Sequence, residues 1–250
     1  MFLISIVCAL ASLGSPVQFV PVDVQYVNAR SLTLHEPVVV AFAIRNLSDD
    51  AIGIDLGWNR TSAFTLNVTR PDGSVLKAMP PRASGMVRSG RLSIPLGGSV
   101  DDGELFLNEW TDFNQVGTYR IEIALETRLI EHGTARDVRL TRNLELEIRN
   151  RDASTLQETC RELADSAMYA LRPVEFMRGA RLLSLIDDPI AVDTMRSILS
   201  VTDRVDPIIL DGLIRMNTDE ARAVLTEVSM GTNLLRAMQA RSFLDRTRRR

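Results

Sequence analysis

Gly117-Thr118-Tyr119-Arg120-Ile121-Glu122-Ile123-Ala124-Leu125-Glu126 is the stretch that decides the fold. Tyr119, Ile121, Ile123 and Leu125 fall on one face, with Arg120, Glu122, Ala124 and Glu126 on the other. A period of two marks a strand with one buried side, and that side needs an opposing sheet. The rhythm recurs at Val38, Val40, Phe42 and Ile44, and at Leu144, Leu146 and Ile148, which alternate with Glu145, Glu147 and Arg149. Weaker strands are expected at 22–27, 52–56, 64–68, 92–96 and 104–107. Turn chemistry separates them at Asp49-Asp50, Pro71-Asp72-Gly73, Pro80-Pro81, Gly97-Gly98 and Gly117, and Ile130-Glu131-His132-Gly133-Thr134 reads as a hairpin turn. Seven or eight short strands predict an antiparallel β-sandwich over residues 20–150.

Gly117-Thr118-Tyr119-Arg120-Ile121 resembles the start of strand F in immunoglobulin-like domains, where a tyrosine hydroxyl bonds back to upstream backbone. Antibody-type domains carry a cysteine two residues after that tyrosine. Ile121 stands there, so packing alone must tie the sheets. The run from His35-Glu36-Pro37-Val38 to Asn46-Leu47-Ser48 is similar to the opening strands of bacterial immunoglobulin-like modules. The resemblance spans about half the chain and implies a fold, since such sandwiches host many roles.

Near residue 150 the apolar period changes to three or four. Ser154 with Gln157, and Asn217 with Glu220, read as capping boxes. Asp188-Pro189 and Asp206-Pro207 each pair an N-cap with proline at the first helical position, Pro173 opens another helix, Gly231 ends one helix and Thr232 caps the last. About six helices are expected over 151–250. Leu183, Ile186, Ala191, Met195 and Ile198 recur at an offset of 30 as Leu213, Met216, Ala221, Leu225 and Val228. That register resembles short HEAT-like repeats, in which helix pairs bury their faces by stacking on neighbours. A plain helical bundle is the alternative. The expected class is therefore multidomain β + α, an immunoglobulin-like sandwich followed by a HEAT-like hairpin stack.

The first residues, MFLISIVCALASLGSPV, read as a signal peptide over 1–15, with small residues at Ala9, Ala11, Ser12, Gly14 and Ser15 but no basic residue before the apolar run. The run is short for a membrane span, so no integral span is expected after cleavage. The location this implies is secreted or periplasmic. The net charge of −3 argues against nucleic-acid binding. Lys77 is the sole lysine among 29 basic residues, a bias that fits a GC-rich, bacterial coding sequence. Cleavage would remove Cys8 and leave Cys160 alone, without an internal disulfide. Cys160 shares a helical spacing with Leu156, Leu163 and Ala164, which suits a buried thiol over a nucleophile.

Catalytic chemistry has little to draw on. His35 and His132 lie in no metal-ligand spacing, and no nucleophile elbow or phosphate loop is present. No catalytic residue, metal or cofactor is expected. Acidic loops at Asp49-Asp50 and Asp101-Asp102 with Glu104 read as solvated turns, with a calcium site as the alternative. Asn46, Asn59 and Asn67 are formal glycosylation acceptors. The basic tail 246–250 reads as a solvated terminus. Trp58 and Trp110, each at a strand end beside polar residues, are the candidates for a binding rim, with packing over the sandwich end as the other reading. The expected function is an exported, non-enzymatic binding or scaffold protein with a protein partner. The alternative is a proteinase inhibitor of the bacterial immunoglobulin-like type, because Phe64–Val68 followed by Pro71-Asp72-Gly73 resembles its strand–turn arrangement, with the segment from Lys77 to Arg91 as the loop.

Overall fold

The structure, a computed structural model, describes residues 22–27, 31–56, 60–78 and 90–248. The expected signal peptide, Trp58, Asn59 and most of the Lys77–Arg91 segment lie outside the described residues. In chain order the strands are β1 (Val22–Val27), β2 (Leu32–Thr33), β3 (Val39–Asn46), β4 (Ile52–Asp55), β5 (Phe64–Thr69), β6 (Val75–Ala78), β7 (Arg91–Ile94), β8 (Ser99–Phe106), β9 (Gly117–Glu131) and β10 (Thr134–Arg149). One sheet has the order β1-β3-β8. The other runs β2-β10-β9, and the far edge of β9 takes β5 along 120–125 and β4 along 128–130. β6 extends the sheet from β5, β7 extends it from β4, and β2 lies parallel to β10.

The deciding stretch behaves as its alternation predicts. Tyr119, Ile121, Ile123 and Leu125 are buried and meet Val40, Phe42 and Ile44 from the facing sheet in one core. Phe42 and Phe64 bring the two sheets together, with ring centroids 4.8 Å apart. The Phe42 ring lies over Gly103, where a Cβ would come within 2.2 Å of it, so only glycine fits. The Tyr119 hydroxyl accepts the Gln115 backbone N–H at 2.9 Å, the expected corner bond, and burial raises its ionisation above the ordinary value. The turn expected at His132-Gly133 joins β9 to β10, with φ of 50° and 76°, both in the left-handed region a tight hairpin requires.

Among the described residues six helices follow: α1 (Ala153–Tyr169), α2 (Pro173–Ser184), α3 (Val192–Val201), α4 (Asp206–Met216), α5 (Asp219–Ser229) and α6 (Leu234–Arg248). The residues recurring at an offset of 30 all lie in or against one core, and all are buried except the half-buried Val228. α1 touches α3 and α3 touches α5, while α2 touches α4 and α4 touches α6. α2 and α4 come closest at Gly212, where a Cβ would stand 2.8 Å from Ser184 Cα.

Four helix starts differ from expectation. Asp152, not Ser154, caps α1, accepting from the Ser154 and Thr155 N–H groups. A carboxylate brings full negative charge to the positive end of the helix dipole, which a hydroxyl cannot match. Thr218 caps α5, and Asn217 instead ends α4 in the left-handed conformation at φ 52°. Asn233, not Thr232, accepts the Arg236 N–H at the start of α6. Asp206 makes no cap bond and pairs with Arg236.

The sandwich and the helices keep separate cores and meet along a seam. Between β10 and α1 stand only Asn150, Arg151 and Asp152. The Thr33 hydroxyl donates to the Asn150 carbonyl and accepts from the Asp152 N–H, both at 2.7 Å. Glu36, buried in the turn before β3, accepts from the Thr33 N–H and the Thr159 hydroxyl of α1. A small apolar cluster of Phe106, Leu182 and Leu185, backed by Val39 and Leu163, fills the middle. Arg178 and Arg181 of α2 form two-pronged pairs with Glu104 and Glu109, and the Arg181 guanidinium stacks 4.5 Å above Phe106.

Candidate functional site

At one end of this seam lies a cleft of about 330 Å³ whose lining comes from both halves of the chain. His35, Asn108, Asp112, Phe113 and Asn114 come from the sandwich; Leu185, Asp187 and Arg215 come from the helices. His35 follows β2 in a tight turn, closed by the Glu36 N–H donating to the Thr33 carbonyl, and its φ of 75° is uncommon for a residue with a side chain. Asn108 belongs to the short 3-10 turn Leu107–Glu109, and its Oδ1 accepts the Val38 N–H at 2.5 Å. That bond ties the turn to the start of β3 and sets the sandwich wall.

The helical wall is organised by arginine. The Arg215 guanidinium donates to the Ser184 carbonyl at the end of α2, where a cation complements the dipole. Burial presses its ionisation below the ordinary arginine value, while Asp187, Glu109, Asp112 and Asp211 oppose that shift. Asp188, beside the cleft, accepts from Arg151 at 2.5 and 3.0 Å and caps the turn Pro189–Ala191. The Arg151 bonds hold its carboxyl below the usual range, with a smaller contribution from His35. The cleft thus offers carboxylates, a guanidinium, amides and two apolar side chains within one small volume. Such a set suits a polar segment carrying charges of both signs.

Trp110 is not on a rim. It is only 7% exposed and packs in the sandwich core, because its segment folds inward between Leu107 and Phe113. Its Nε1 and the neighbouring Thr111 Oγ1 are buried without hydrogen-bond partners among the described residues. The other residues singled out from sequence do not converge. His132 stands at the β9–β10 turn near Asp50, 3.6 Å away, separated from His35 by nearly the length of β9, roughly 45 Å. Cys160 is buried, and burial pushes its thiol up to about 11. Glu104 is held by Arg178, and among the described residues no group of three His, Cys, Asp or Glu could hold a metal ion. Asn46 is buried and donates to the Asp50, Ile94 and Pro95 carbonyls, while Asn67 donates to Glu122. The cleft is not legible in the sequence because its lining comes from four separate short segments. The one local signal was the polar run Asn108 to Asn114.

A second concavity, of about 680 Å³, lies on the sandwich beside the end of β4 and is lined by Asp55, Ser62, Thr127 and the Arg128–Asp137 and Arg139–Glu126 ion pairs. It is open and belongs to the sandwich alone. No helix among the described residues is long and apolar enough to cross a membrane.

No family model and no curated protein matches this chain. Among solved structures it is similar to the ASH / PapD-like domain (PapD-like domain 7) of human CEP192, at 12% identity over 58% of this chain and 99% of that one, with a TM-score of 0.33. It is similar to AggA, the major subunit of aggregative adherence fimbriae type I from Escherichia coli, at 12% identity over 51% and 94%, with a TM-score of 0.29. A protein from Archaeoglobus fulgidus is similar at 9% identity over 50% and 94%, with a TM-score of 0.26.

Proposed function

We propose that this chain is an exported, non-enzymatic protein that binds a partner protein through the cleft at its seam. The observation that carries this reading is that one small concavity draws charged and amide side chains from both halves. The seam around it is fixed by two-pronged arginine pairs, and preorganised groups lose little freedom on binding. Cys160, the only thiol among the described residues, is buried and neutral at physiological pH. The two rows of helices, α1-α3-α5 and α2-α4-α6, support a HEAT-like stack as the scaffold behind the cleft. The signal-like character of residues 1–15 supports export.

The test is capture from envelope extracts with the full chain and with Asp112→Arg and Asp187→Arg, both exposed positions where charge reversal spares the cores. The wild-type chain retains a protein that each variant retains at least ten-fold less, by about 1.4 kcal/mol of lost affinity. Equal retention by wild type and both variants removes the cleft from the binding surface. Turnover of a substrate by the purified chain removes the non-enzymatic reading.

A further inference from the structure

The hairpin turns of the helical stack form an apolar ridge. The turn between α1 and α2 exposes Leu171 at 96%, flanked by Tyr169 and Val174. Val201, at the turn between α3 and α4, is 60% exposed. The turn between α5 and α6 exposes Met230, Leu234 and Leu235, the last at 78%. These turns stand side by side. The Arg204 guanidinium, in the middle turn, lies 5.9 Å from the Phe176 ring at the start of α2. Arg236, at the start of α6, donates to the Leu199 and Thr202 carbonyls and pairs with Asp206.

At these exposures the ridge presents on the order of 900 Å² of apolar side chain, more than the roughly 300–600 Å² largest patch of a typical monomer. It matches the ~800 Å² that each partner of a standard stable interface buries. The terminal helix of a stack ordinarily turns a polar face outward, yet α6 buries Ala237 and Ala240 while exposing Leu234, Leu235 and Met238. Charge selects the occupant. Arg172 pairs with Glu175, and Arg204 follows Asp203, so the ridge lacks the basic excess that attracts an anionic bilayer. A two-fold axis through the middle turn would instead bring Asp203 of one copy against Arg204 of the other, and set the first turn against the third. We propose that two copies of this chain pair through the ridge about such an axis.

Sedimentation velocity on the full chain tests this. The wild type reaches the mass of two chains as concentration rises, and Leu171→Glu with Leu235→Glu halves it. Asp203→Arg also gives single chains, and Asp203→Arg with Arg204→Asp restores pairs; both positions are exposed, so the fold persists. Leu96→Glu, at an exposed apolar site on the sandwich, leaves pairing unchanged. A wild type of single-chain mass at every concentration overturns the proposal, as does pairing that survives Leu171→Glu with Leu235→Glu. Single chains that float with phosphatidylglycerol–phosphatidylcholine vesicles only while Leu171 and Leu235 are intact assign the ridge to a lipid surface instead.

Discussion

Replacing Gly212 with alanine sets two effects of opposite sign against each other. Alanine in a helix interior is worth about 1 kcal/mol over glycine, so an unencumbered site gains stability. At Gly212 the new Cβ meets Ser184 Cα and Cβ at 2.8 Å and its carbonyl oxygen at 3.1 Å. Carbon atoms pack at about 3.5–4.0 Å, so α4 must retreat from α2 by roughly 0.7 Å or more. Backbone cannot swing aside as a side-chain tip can, and such overpacking costs about 1–3 kcal/mol. The expected net loss is about 1 kcal/mol, or a Tm lower by roughly 2–4 °C for a chain of this length. Thermal unfolding followed by circular dichroism reads it. A Gly212→Ala protein as stable as wild type, or more so, refutes the close approach of α2 and α4.

Three further outcomes are expected. Tyr119→Phe leaves the Gln115 N–H unpaired and costs about 1–2 kcal/mol in urea unfolding, whereas an unchanged midpoint argues against the corner bond. Cys160, buried with its thiol raised to about 11, reacts with a thiol reagent at pH 8 only after denaturation; prompt labelling of native protein contradicts its burial. Acid destabilises the fold through carboxylates whose values are lowered on folding: Asp72, to about 2 through Ser74 and then Gln115; Asp188, through Arg151; and Asp152, through the Ser154 hydroxyl. Such groups bind fewer protons folded than unfolded, so their contribution is complete above the unfolded value near 4 and fades as pH falls through the folded value. Urea midpoints should hold between about pH 7 and 5 and fall from about pH 4 to 2; a rise on acidification contradicts these pairings.

The sandwich was legible where alternation was clean, as at Tyr119 to Leu125 and Val38 to Ile44. The outer halves of β9 and β10 were less so: Thr127, Leu129, Val138 and Leu140 face the core, but a threonine among them and the flanking Arg128, Arg136, Arg139 and Arg142 dilute the apolar alternation. The hairpin is paired along its whole length by backbone bonds, so a weak apolar alternation is enough to extend it. Helix number and the recurring apolar register were readable from caps and period, but cap identity depended on local competition, as Asp152 shows against Ser154. The arginine bias read as coding composition; in the fold, arginines serve helix ends and the seam. Arg215, Arg236 and Arg241 donate to carbonyls that close α2, α3 and α5. The cleft stayed hidden because its lining converges only once α2 docks on β8.

Residue-specific cross-linking from the cleft tests the central claim most directly. A photoreactive residue at Asn114, in the lining, and another at Thr141, exposed on β10, are compared in full-length protein exposed to envelope extract. The account predicts a discrete adduct from position 114 that Asp112→Arg or Asp187→Arg removes, and none from position 141. Equal adducts from both positions, or adducts from 114 indifferent to those charge reversals, would contradict it.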